Sequence, residues 1–309
     1  MIVITGASGM VGSAFQRMNI EDNVIHLDSA VCDLKNRDET FAFFKDKEIS
    51  TLIHLAARVG GIKANMDYMG DFYADNIAIN TNVLNAAKTY NVKKVISVLS
   101  TCIYPDNVLY PLTEDQIHKG EPHGSNFGYA YAKRMLDVMS RAYRDQYGCN
   151  FITAIPNNLY GENDNFDLED SHVIPALMRK IWEAKINNKP SVECWGDGSP
   201  LREFTYSQDI AKILVFLMNN YNEKDPINIG NTQEYSIKAV VSLLCEYFKY
   251  DGEIVWNTDK PAGQFRKPSN NQRLLDLGWK EEWYTPFEEG LKRSCEWFIM
   301  SYPNVRGVK

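Results

Sequence analysis

Short runs of apolar, β-branched residues alternate with stretches of helical periodicity through the first half of the chain. Residues 2–4, 24–27, 51–55, 95–99 and 151–155 read as strands buried on both faces, because a parallel sheet covered by helices has no polar side to alternate with. Between the first two runs, Met10, Ala14, Phe15 and Met18 recur at helical spacing and place a helix from about Met10. A longer helix is expected from about 128 to 147, ended by Gly148. This rhythm predicts an α/β protein built on a Rossmann-type doubly wound parallel sheet.

After Gly161 the chain turns to scattered elements rich in Asn, Trp and Pro, as expected for a second, smaller α/β domain that closes over a substrate. That domain is not contiguous. Residues 205–209, the apolar helix 210–218 and the run 227–230 read as a return to the sheet. The expected division is 1–160 plus about 203–230 for dinucleotide binding, and about 161–202 plus 231–309 for the smaller unit. Trp256, Trp279, Trp283 and Trp297 fall in the latter, and the end of the chain, from about Pro303, is expected to fray.

A length of 309 residues with 44% hydrophobic and 24% charged residues suits a soluble globular protein of about two domains. Lys and Arg number 33 against 40 Asp and Glu, a net charge of −7 with no basic run, which argues against nucleic acid as a partner. No apolar stretch is long enough to span a membrane and no leader-like pattern opens the sequence, so a cytoplasmic protein is expected. The six cysteines form no Cys-x-x-Cys pair, which points to reduced thiols and to neither a metal site nor a disulfide framework.

Gly6, Ser8, Gly9, Met10, Val11 and Gly12 lie at the first strand-to-helix junction. Glycines there permit a tight turn, close approach of backbone to a pyrophosphate and close helix packing, while the helix N-terminus offers amides to the anion. The Gly-x-x-Gly-x-x-Gly spacing is similar to that of short-chain dehydrogenases/reductases. In that resemblance Asp33 and Leu34 contact the adenine, and Leu55, Ala56 and Ala57 line the cofactor cleft. Read alone, Asp33 is equally a helix N-cap and His54 a hydrogen-bonded core residue.

Tyr129 and Lys133 stand at i and i+4, on one face of the long expected helix. A phenol whose reference pKa is about 10 is a poor acid at neutral pH. A neighbouring ammonium and a cationic nicotinamide would favour its phenolate and bring it towards neutrality. Tyr129 could then protonate a carbonyl oxygen as hydride reaches the carbonyl carbon. Tyr131, two positions on, faces elsewhere.

Five further segments carry a narrower resemblance: 59–62, 100–105, 158–166, 171–177 and 195–204. Together they resemble the GDP-L-fucose synthase family, over roughly residues 1 to 300. Members epimerise a GDP-4-keto-6-deoxymannose at C3 and C5 and reduce C4 with NADPH. The resemblance implies that Ser100 or Thr101 holds the carbonyl, that Tyr129 and Lys133 form the reductase pair, and that Cys102 and His172 form the epimerase pair. It also implies that Asn158, Val173, Arg179, Lys180, Trp195, Arg202 and Lys267 hold the GDP-sugar, and that the protein is a homodimer.

Some positions depart from the family. Ser8 and Ser29 stand where arginines commonly meet the 2′-phosphate of NADP, and the adjacent Asp28 is an acid of the kind that favours NAD; the resemblance implies NADPH, for which Lys35 or Arg37 would have to supply the charge, with NAD as the alternative. Lys180 replaces a second arginine, and Pro268-Ser269-Asn270 replaces an apolar continuation after Lys267. A related reading is therefore a C4-reductase of a GDP-4-keto-hexose or heptose, with epimerisation lost or left to another enzyme. A 4,6-dehydratase would need carboxylates beside Ser100, and a non-enzymatic dinucleotide sensor should lack the Tyr129–Lys133 pair; neither matches.

Overall fold

A computed structural model of the chain describes residues 1–18, 20, 23–260 and 265–308. Its strands are β1 (Ile2–Thr5), β2 (Val24–Leu27), β3 (Thr51–His54), β4 (Lys94–Val98), β5 (Phe151–Pro156), β6 (Asn158–Tyr160), β7 (Ser191–Trp195), β8 (Leu201–Tyr206), β9 (Ile227–Ile229), β10 (Glu234–Ser236) and β11 (Glu253–Asn257). The helices that matter for the site are α1 (Met10–Arg17), α2 (Arg37–Phe44), α3 (Ile62–Asp67), α4 (Met69–Thr89), α5 (Phe127–Tyr147), α6 (Val173–Ile186) and α7 (Ser207–Asn220).

Six strands form one sheet in the order β2-β1-β3-β4-β5-β9, every neighbour parallel. Successive side chains point to opposite faces, so Val3, Leu52, Val95 and Phe151 enter one core while Ile2, Ile53, Ile96 and Ile152 enter the other. Gly148 ends α5 in the left-handed conformation at φ 69°. Because β1 has β2 on one side and β3 on the other, the chain reverses direction across the sheet there. A ligand cleft opens at the carboxyl ends of strands at such a switch point.

A third core holds Tyr160, Phe166, Ile174, Phe204, Tyr206, Leu244 and Phe287, beside the small sheets β10-β8-β6 and β11-β7. Three expectations are corrected here. Thr205 and Tyr206 lie on β8 of the three-stranded sheet, so the return to the large sheet begins at α7. Trp279 packs with the core of the large sheet, and Trp283 sits edge-on to it at 5.2 Å, rather than with the third core. The end of the chain is anchored rather than frayed, with Val305 buried and the Arg306 carbonyl accepting the Phe166 N–H at 2.8 Å.

Candidate active site

The turn after β1 is fixed by contact with the turn after β3. Gly6 has φ 70°, and a Cβ there would lie 2.9 Å from the Ala56 backbone. At Gly12 a Cβ would come within 2.4 Å of the Gly6 carbonyl oxygen, so α1 packs directly on the loop. Gly9 is the N-cap of α1 and caps no amide, and a Cβ at this position would meet only the Gly6 oxygen, at 3.3 Å. The first turn of α1, with Met10 and Val11 partly exposed and Ser8 exposed before it, thus faces open space.

Leu55 and Ala56 donate their N–H groups to Thr5 Oγ1, both at 3.1 Å, which ties the two turns together. Leu34 is buried, while Asp33 accepts the Lys35 N–H at 3.0 Å. The cap of α2 is Asn36, not Asp33. Lys35 stands 3.7 Å from Asp75, and Arg37 stacks on Phe41 at 4.3 Å. Asp28 turns back on its own loop, accepting the Ala30 and Val31 N–H groups at 3.0 and 3.3 Å.

His54 is buried with both ring nitrogens engaged, Nδ1 2.9 Å from Thr5 Oγ1 and Nε2 3.1 Å from Asn80 Oδ1. Asn80 Nδ2 donates to the Ala132 carbonyl at 3.0 Å, which assigns its Oδ1 as the acceptor and puts the His54 proton on Nε2. Burial, and secondarily the Lys133 charge, push His54 down to about 3, so the ring is neutral. This chain of bonds runs from β1 through β3 and α4 to the turn of α5 that bears Lys133.

Lys133 is buried and donates to the Val98 carbonyl at 2.8 Å, at the end of β4. Burial lowers it to about 8, with the Cys102 sulfur acting in the opposite sense. Its Nζ lies 5.9 Å from the centre of the Tyr129 ring, and Phe72 of α4 meets that ring edge-on at 6.4 Å. Burial drives the Tyr129 phenol up and the Cys102 charge drives it further. Tyr131 packs on Phe127 and under Arg134, away from Tyr129.

At the end of β4, Ser100 caps a short turn whose Cys102 thiol donates to Ser100 Oγ at 3.2 Å. Thr101 is buried in the same turn. Arg134, one residue after Lys133, donates to the Ile103 carbonyl at 2.6 Å and the Gly120 carbonyl at 2.7 Å, clamping this turn to α5. Sequence reasoning passed over Arg134, Asn80 and Phe72. The adjacency of Arg134 to Lys133 was the one available signal.

His172 is the exposed N-cap of α6. The segment before it is pinned by the Gly61 N–H donating to the Asp170 carbonyl at 2.7 Å, and a Cβ at Gly61 would strike the Ser171 oxygen at 2.6 Å. Val173 and Trp195 are exposed, with Lys180 and Lys260 over the Trp195 ring at 5.5 and 5.7 Å. Asn158 donates to the Glu203 carbonyl at 2.9 Å. Arg202 donates to the Leu201 carbonyl at 2.7 Å.

Lys267 is partly buried, and Cys102, Arg202 and Asp106 are the charges that act on it. Burial lowers it. Arg179 is committed elsewhere: it pairs with Glu183 at 2.7 Å and donates to the Phe166 and Gly307 carbonyls at 3.0 and 2.9 Å, so it serves the chain end. All six thiols are free, and among the described residues no group of three His, Cys, Asp or Glu side chains could hold a metal.

Residues 2–230 match the model of the NAD dependent epimerase/dehydratase family. A GDP-L-fucose synthase of Dictyostelium discoideum is 44% identical over 312 residues, 99% of this chain and 97% of that protein. Among solved structures, a GDP-L-fucose synthetase from Naegleria fowleri bound to NADP superposes with a TM-score of 0.93 at 39% identity, covering 99% of this chain and 94% of that one. A GDP-mannoheptose C4 reductase from Campylobacter jejuni with NADP bound gives 0.86 at 30%, covering 96% and 98%. The chain belongs to the NAD dependent epimerase/dehydratase family and, within it, to the GDP-L-fucose synthases.

Proposed function

We propose that the protein is an NADP-dependent enzyme that epimerises a GDP-4-keto-6-deoxy sugar at C3 and C5 and reduces its C4 ketone at the same site. The observation that carries this reading is the convergence of Tyr129, Lys133, Ser100 and Cys102 at the end of β4, next to the switch point of the sheet. The open face at Gly9 and the uncapped start of α1 fit a dinucleotide pyrophosphate. Bound along that loop, NADPH supplies the hydride for the ketone carbon. Lys35, half-exposed beside Asp75, or Arg37 supplies charge for the 2′-phosphate.

The raised Tyr129 keeps its proton at neutral pH, which is the state an acid needs. It donates that proton to O4 as the carbon is reduced, and Lys133, at about 8, is poised to hold or pass a proton near the working pH. Before reduction, the ketone acidifies C3–H and C5–H. Cys102 as thiolate removes one of these protons, Tyr129 stabilises the enolate oxygen, and His172 returns a proton to the opposite face. The exposed Asn158 and the partly exposed Arg202 and Lys267 hold the GDP moiety, and Lys180 and Trp195 extend that side.

Exposed Tyr73 on α4 and Val138 and Tyr147 on α5 support a homodimer built on these helices. No described helix is long and apolar enough to cross a membrane, in keeping with a cytoplasmic enzyme. Tyr129→Phe should reduce ketone turnover by about 10³-fold or more while dinucleotide affinity stays within about twofold, read by stopped-flow and by cofactor fluorescence. Cys102→Ser should halt entry of solvent deuterium at C3 and C5. Full turnover by the Tyr129 variant would contradict the assignment.

A further inference from the structure

Glu203 follows Arg202 on β8 and is 1% exposed. The Oε1 atom accepts the Ser269 N–H at 2.8 Å; Oε2 accepts the Ser269 hydroxyl at 2.6 Å and Asn157 Nδ2 at 3.2 Å. A buried carboxylate is tolerated only when donors surround it, and here the donors come from two separate segments. Ser269 belongs to the stretch that departs from the family after Lys267, and the departure is what meets the carboxylate. The stretch is further held by the Leu112 N–H donating to the Pro268 carbonyl at 2.8 Å and the Asn270 N–H donating to the Leu112 carbonyl at 2.9 Å. Arg266 is spent on Glu234, with two bonds of 2.8 Å from its Nε, while the neighbouring Lys267 is partly buried and lies within reach of the Arg202 and Cys102 charges. On the other side, Asn157 directly precedes Asn158, whose side chain donates to the backbone carbonyl of Glu203 itself.

We propose that Glu203 is a positioning residue for the nucleotide side of the site, its carboxylate locking the Ser269 strap and the Asn157–Asn158 turn into one unit so that Lys267, Arg202 and Asn158 converge. This rests on the GDP-sugar reading above. Neither oxygen can become an amide without conflict, because each faces a donor: a glutamine would turn its NH₂ towards the Ser269 N–H or towards Asn157 Nδ2. Acceptor capacity at both oxygens, and not shape, is therefore the required feature.

The test measures GDP and NADPH binding by calorimetry on Glu203→Gln, Ser269→Ala and the double variant, with thermal melts alongside. Hydrogen bonds to a charged group set the expected scale: GDP affinity should fall roughly tenfold in each single variant while NADPH affinity stays within about twofold. The double variant should lose much less than the product of the singles, because both delete the same link. With the GDP-sugar as substrate, KM should rise and kcat hold. Equal loss of GDP and NADPH binding, or GDP affinity unchanged in folded Ser269→Ala, would overturn the proposal; the milder serine variant decides the matter if Glu203→Gln does not fold. Failure of the wild-type chain to bind GDP would instead overturn the reading on which it rests.

Discussion

His54 makes stability depend on acid pH at the scale of single residues. Its folded pKa of about 3 lies below the unfolded value of 6.5. Between those values the unfolded chain binds the extra proton, so stability rises with pH and is lost as pH falls from 6.5 towards 3. The loss from His54 alone should be about 2 kcal/mol on going from pH 6.5 to about pH 5. His54→Asn should be less stable at neutral pH yet show a shallower acid slope in urea titrations; an unchanged slope would contradict the neutral-ring account. The sequence allowed a core role for His54 and a turn role for Asp33, but which residue caps α2 depends on side-chain geometry. Tyr129 and Lys133 were readable because helical spacing alone puts them on one face. The direction in which Tyr129 shifts was not, since it depends on how much solvent the surrounding residues remove.

Among elements, the glycine loop separates two functions that the sequence pattern merges. Gly12 and Gly9 both belong to one motif, yet a Cβ at Gly12 would overlap the backbone at 2.4 Å while one at Gly9 would meet it at 3.3 Å. Gly12→Ala forces a Cβ to 2.4 Å from the Gly6 oxygen and should cost about 1–3 kcal/mol, visible as a lowered melting temperature. Gly9→Ala should melt within a degree or two of the wild type and yet bind NADPH much more weakly, because its Cβ would crowd the helix N-terminus proposed to receive the pyrophosphate. Equal melting temperatures for the two variants would contradict the packing described. The strands of the large sheet were legible as continuous apolar runs because both faces are buried. The short strands β6, β8 and β10 were not, since their partners come from distant segments and their burial is uneven, as along the exposed-to-buried β6.

For the whole molecule, the proposed catalysis requires the glycine loop and the segments proposed to bind the sugar to keep a fixed relation. Arg17 at the end of α1 pairs with Glu162 at 3.1 Å, and Tyr206 of β8 donates to the same carboxylate, so the helix that starts at the glycine loop is joined to the turn that leads towards His172. Composition could not say which core each tryptophan joins, and Trp279 and Trp283 went to the large sheet because the chain crosses back after residue 271, where Leu274 packs beneath it. Nor could motif spacing show that Arg179 holds the chain end, because its partners, Phe166 and Gly307, are remote in sequence. What links these scales is a single cleft in which one ketone serves both epimerisation and reduction. The most direct test incubates the protein with GDP-4-keto-6-deoxymannose and NADPH in heavy water and reads the product by NMR. Inversion at C3 and C5 with deuterium at both carbons, and a C4 alcohol, is the expected result. A C4 alcohol with unchanged C3 and C5 and no deuterium there would contradict the account.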